Sequence, residues 1–140
     1  MGFELEGLDI FERMLLQRVI REMPDKVERK LTELAYRYLA DVKRLTPVAE
    51  NTPTRKGGTL RDSIRVDGVK RVGDEFVVVI GSNVHYAPHI EYGHRIKNKA
   101  GEYVGFVQGF HMFEIPLKQM EEWIDQDIKQ WLQDIVEGRV

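Results

Sequence analysis

Apolar residues recur at helical spacing in three stretches of the chain. In the first, Leu8, Phe11, Leu15 and Val19 accompany an Asp9–Glu12 capping-box pattern, which predicts a helix from about Asp9 to Glu22. Pro24 breaks that periodicity, and Asp25 with Glu28 offers a second capping box. Val27, Leu31, Leu34, Tyr38, Val42 and Leu45 then form one sustained stripe that ends at Thr46-Pro47. The stripe is narrow enough to serve as a helix seam as well as a core face. The third stretch is Leu117, Met120, Ile124, Ile128, Trp131 and Ile135, widened by Trp123 and Leu132. Pro116 falls in or near its first turn, and Gly138 closes it.

Between the second and third stretches the period changes. Ile64, Val66 and Val72 predict a strand over 64–72, joined through Gly73-Asp74 to a second strand over 76–81. Phe76 to Ile80 is a continuous apolar run rich in β-branched residues, which reads as a buried strand. Tyr103 to Val107 predicts a third strand at a sheet edge, weakened by Gly105. Thr59 to Ser63 fits one short helical turn. Two polar stretches, 46–58 and 94–102, read as loops that stay mobile in the free protein and order on assembly, since few apolar anchors offset the entropy of fixing them. Arg55-Lys56-Gly57-Gly58 does not make a phosphate loop, because no strand precedes it and the Lys-Ser/Thr ending is missing.

The densest chemistry lies where the second strand ends. Gly81-Ser82-Asn83 favours a turn, Tyr86-Ala87-Pro88 sets a fixed φ, and His89 to Tyr92 makes about one helical turn before Gly93 stops it. Tyr86, Pro88, Glu91, Tyr92, Gly93, His94 and Arg95 are therefore the candidate interface residues. Pro88 and Gly93 would fix a turn that presents Tyr86, Glu91 and Tyr92, while the tyrosines equally suit the core beneath it. Two chemical readings compete with an interface. His85, His89, Glu91 and His94 would serve a metal-dependent hydrolase or nuclease, but Pro88 disturbs the shared helical face and no named ligand spacing is present. Glu91, His94 and Arg95 would serve as base, acid and anion clamp only in a pocket that tunes them. An i,i+4 pairing of Glu91 with Arg95 is the structural alternative.

Composition narrows the classes further. With 140 residues, 42% hydrophobic and 31% charged, the chain fits one soluble domain spanning 1–140, with helical segments over about 9–45, a small sheet with loops over about 59–107 and a C-terminal helix over about 110–137. A net charge of −2 offers no basic surface for nucleic acid, and Glu121, Glu122, Asp125 and Asp127 crowd the tryptophans that would otherwise stack on bases. The absence of cysteine removes disulfides, thiolate zinc sites and a thiol nucleophile. No apolar run approaches the ~20 residues of a membrane span, and the acidic N-terminus lacks the basic start of a secretory signal. A cytoplasmic product is expected.

Three pieces together resemble a known family. Thr46-Pro47-Val48, then Gly58-Thr59-Leu60-Arg61-Asp62-Ser63-Ile64, then Gly81 through Gly93 with its Tyr-Ala-Pro-x-Ile-Glu-Tyr-Gly core, are similar to the tail-completion (head–tail joining) proteins of tailed phages and prophages. Phe110-His111-Met112-Phe113 resembles the aromatic entry to that family's closing helix, so the likeness runs from about Leu31 to Val136. Two features depart from the pattern: Ala49 to Gly57 intervene between the first two pieces, and Gly93-His94-Arg95 stands where Gly-Thr is common. The resemblance implies an α+β fold with a small antiparallel sheet packed by a long C-terminal helix. It implies a non-enzymatic role in the virion neck, as a homo-oligomeric ring between the adaptor (connector) ring and the tail terminator or tail tube proteins. It brings no catalytic residues, cofactor or metal.

Overall fold

The computed structural model describes residues 5–49 and 57–140. Of the loop expected over 46–58, residues 50–56, with Arg55-Lys56, lie outside those described. The first helix, α1, runs Ile10–Glu22 because Asp9 and Glu12 close a reciprocal box. Asp9 Oδ1 accepts from the Glu12 amide at 2.7 Å and Glu12 Oε1 from the Asp9 amide at 3.0 Å, satisfying two donors that a helix start leaves open. Leu8 and Val19 are buried as the spacing predicts, but Phe11 is 71% exposed.

The second helix, α2, spans Pro24–Leu45 and follows α1 after the single residue Met23. The expected Asp25–Glu28 box is not what starts it. Pro24 occupies the first position, where its fixed φ and missing N–H cost nothing, so Asp25 already lies inside the helix. Along its stripe Val27, Leu34 and Val42 are buried, Leu31 and Tyr38 are half-buried, and Leu45 at the end is exposed.

A short helix α3, Thr59–Ser63, precedes a ribbon of strands. β1 (Arg65–Val66) pairs with β4 (Ile80–Gly81), and β2 (Lys70–Val72) with β3 (Glu75–Val77), both antiparallel. The Asp67 amide donates to the Val79 carbonyl at 2.8 Å between the two ladders, so 65–81 is one interrupted hairpin turning at Gly73, φ 63°. The apolar run Phe76 to Ile80 is not a buried strand. Phe76, Val78 and Ile80 are half-buried while Val77 and Val79 are exposed, because one face of the ribbon alone meets the helices.

After the corner helix α4, Ala87–Tyr92, the chain enters β5, Gly93–Lys97, which pairs antiparallel with β6, Tyr103–Gln108. The stretch from His94 to Lys97, expected as part of a loop, is therefore strand, and only 98–102 turns. The last helix, α5, covers Glu114–Val136. Gly138, φ 73°, ends it by donating to Ile135, while Arg139 donates to Asp134 at 2.7 Å. The α+β expectation is met, with the antiparallel pairing divided among two-stranded ladders.

Two core clusters lie along α2. The larger joins α1, α2 and α5 through residues such as Val19, Leu34, Ile124, Ile128, Trp131 and Leu132. The smaller gathers Val42, Leu60, Ile64, Ala87 and Met112. Tyr38 packs against both. Each such side chain contributes about 1.5–3 kcal/mol on burial, against ~0–1 kcal/mol for an exposed pair such as Arg18–Glu22. Apolar packing decides this fold.

Candidate functional site

The corner forms where the ribbon feeds α4. Pro88 sits in the first turn of α4, where Pro is tolerated, and is exposed. Ser82 braces the approach: its Oγ accepts from the Val84 amide at 3.1 Å and lies 2.5 Å from Ser63 Oγ, so the α3 motif and the Gly-Ser-Asn turn meet. Tyr86 is half-buried over the smaller core cluster, its ring edge-on to His85 at 5.4 Å. Tyr92 is 65% exposed. Of the two tyrosines, Tyr86 thus packs on the core and Tyr92 faces solvent.

Gly93 ends α4 at φ 86°, ψ 178°, a region for glycine alone. A Cβ there would meet the Val107 carbonyl oxygen and come within 2.8 Å of Phe106 Cζ. A Cβ on Gly109 would meet the Glu91 carbonyl oxygen and lie 2.7 Å from the Gly93 amide nitrogen. The two glycines let the base of the β5–β6 hairpin cross the end of α4 in direct backbone contact. The Phe110 and His111 amides then donate to the Ile90 and Glu91 carbonyls at 2.8 and 3.1 Å.

Glu91 is buried, not presented. One carboxylate oxygen accepts from the Phe113 amide at 2.8 Å and the other from the Glu114 amide at 3.1 Å. α5 has no capping side chain from its own N-cap residue, so a carboxylate from α4 caps it and faces the positive end of its dipole. This corrects both the interface role expected for Glu91 and its pairing with Arg95. Arg95 lies instead on β5, its guanidinium 5.1 Å from the Tyr103 ring centre.

The Tyr38 hydroxyl donates to the Phe113 carbonyl at 2.8 Å, holding the same turn from α2. Burial, then the nearby Glu91 charge, pushes its pKa up from 10.0 to about 12. Below pH 10 the folded and unfolded chains both keep this proton and its stabilisation is fully present. As pH rises from 10 to 12 the unfolded chain ionises first, and the contribution is lost on passing the folded value. Denaturation midpoints followed across pH 9–12 should fall in that window for the natural chain and less for Tyr38→Phe.

His85, His89 and His94 do not gather around Glu91. His89 and His94 are exposed, with ring centres 5.7 Å apart. Among the described residues, the acidic and histidine atoms that converge within 4.8 Å are those of Glu91, His111 and Glu114. His111 Nδ1 is 3.0 Å from Glu114 Oε2. The competing metal reading needs His85, His89, Glu91 and His94 together; the group that does converge is another one, and its Glu91 is already spent on the helix cap. Sequence reasoning missed His111, the non-glycine residue with positive φ at 51° among those described. It sits between Phe110 and Met112, and no spacing in the sequence ties it to Glu91.

Beside the corner runs an apolar groove of about 780 Å³ between α2, the 78–88 segment and α5. Leu31, Leu34, Val79, Pro88, Leu117 and Met120 line it.

A family model described as "Bacteriophage HK97-gp10, putative tail-component" matches residues 15–93, more than half of the chain. The match ends at Gly93, so the β5–β6 hairpin and α5 lie beyond it. No curated protein and no solved structure matches the chain.

Proposed function

The chain belongs to the HK97-gp10-like family of bacteriophage tail components, and from that membership we propose that it is a non-enzymatic assembly protein joining phage head to tail. In this reading it sits in the virion neck as a homo-oligomeric ring, formed in the bacterial host cytoplasm. It contacts the adaptor (connector) ring on one side and the tail terminator or tail tube proteins on the other. Residues 1–140 act as one folding unit, a reading supported by Tyr38, which packs against both core clusters. No helix among the described residues is long and apolar enough to cross a membrane.

The observation that carries the proposal is how the corner spends its polar groups. The buried Glu91 carboxylate holds backbone amides in place, while Pro88, Tyr92, His94 and Arg95 face outward from a backbone fixed by Gly93 and Gly109. Such a site offers shape and an exposed aromatic ring, which suit an interface. The test is in vitro joining of heads and tails made with variant protein, with folding checked by circular dichroism. Tyr92→Ala and Arg95→Ala should fold normally and join several-fold less well, whereas His85→Ala and His89→Ala should join almost as the natural chain does. Full joining by the doubly substituted Tyr92/Arg95 chain would overturn the corner's role. Loss of joining confined to the histidine variants would point to chemistry instead.

A further inference from the structure

The hairpin and the groove are two unfinished surfaces of one molecule. From His94 to Gln108 every residue is exposed, including Ile96, Tyr103, Val104, Phe106 and Val107. The alternation of side chains puts Phe106 with Arg95 on one face and Val107 with Ile96 on the other. An isolated two-stranded hairpin is marginal in water, and this one exposes apolar side chains on both faces. The groove, for its part, is an apolar concavity of a size that accepts several side chains. The hairpin cannot fill the groove of its own chain. It departs from the end of α4 through the fixed Gly93–Gly109 crossing, and none of its residues beyond Tyr92 lines that cavity.

Resting on the ring reading above, we propose that the β5–β6 hairpin of one copy seats in the α2–α5 groove of the next. Charge supports this occupant. The hairpin carries Arg95, Lys97 and Lys99 against Glu102 alone, while on the α5 wall of the groove Glu114 and Glu121 lie within one turn of Leu117 against the single Lys118. Glu121, exposed, stands one helical turn beyond the groove residue Leu117 and is placed to meet the basic strand. Because donor and acceptor surfaces differ, the contact is heterologous and propagates from copy to copy until a ring closes.

Two variants of the full chain test it by sedimentation velocity. Phe106→Asp spoils the hairpin and Val79→Asp spoils the groove; both positions are more than half exposed, at 53% and 56%, so folding should survive. Val104→Asp replaces the first if circular dichroism shows misfolding. The natural chain should self-associate, each variant alone should associate at least ~10-fold more weakly, and an equimolar mixture should give a heterodimer and nothing larger. In that mixture the one intact hairpin finds the one intact groove, and both damaged surfaces are anionic and cannot rescue each other. Variants that still assemble like the natural chain would overturn the pairing and leave the ring reading standing. A natural chain that stays monomeric at about 1 mM would overturn the ring reading itself. Phe106→Asp chains that assemble normally yet fail to bind tail terminator or tail tube protein would assign the hairpin to that partner and also overturn the pairing.

Discussion

Gly93→Val is expected to lower stability by about 2–6 kcal/mol, from about 1–3 kcal/mol for a glycine-only backbone conformation and a similar amount for overpacking. The steric part is large because the obstacles are the Val107 carbonyl and the Gly109 amide, backbone atoms that cannot rotate aside. Against a total stability of roughly 5–15 kcal/mol, this is a large share, and at the low end of that range it unfolds much of the population. Gly73→Val supplies the control. Gly73 also has positive φ, at 63°, but a Cβ there would find nothing within 4 Å, so its cost should stay near about 1–2 kcal/mol. Urea midpoints measure both. Equal midpoints for the two variants would refute the close crossing of α4 and the hairpin.

Glu91→Ala should cost about 3 kcal/mol, since two charge-assisted hydrogen bonds vanish and two amides at a helix start lose their acceptor. Glu91→Gln should cost roughly half as much, because one oxygen still accepts while the new NH2 faces an amide donor. Hydrogen exchange at Phe113 and Glu114 should quicken in both variants before the rest of α5 responds. An unchanged urea midpoint for Glu91→Ala would show that the cap contributes nothing. The prediction also separates the assignments for this residue: a partner contact would leave the free chain's stability intact, whereas a cap is felt before any partner is present.

The long apolar stripes were readable because their partners are elements of the same kind. Met120, Ile124 and Ile128 recur at four-residue steps and go inside, whatever helix they meet. The Asp9–Glu12 box and the Gly73-Asp74 turn were equally legible, each being decided by residues within one turn. What escaped was decided at a distance. Glu91 looks like any helical carboxylate until amides 22 and 23 residues further on reach it. β5 was hidden for another reason: a strand exposed on both faces has no apolar alternation, so His94 and Arg95 read as loop. Phe11 and Leu45 show the limit of periodicity in the other direction, since a stripe names a face but not where its partner stops.

The borrowed cap on α5 has a consequence for chains that are still being made. Until Phe113 and Glu114 leave the ribosome, the Glu91 carboxylate has neither amide to accept and stays in water. A truncated product that stops before them therefore lacks the finished corner, however well its first two helices pair. A chain that extends past Glu114 carries both amides, so the corner separates products that stop short of α5 from those that reach it.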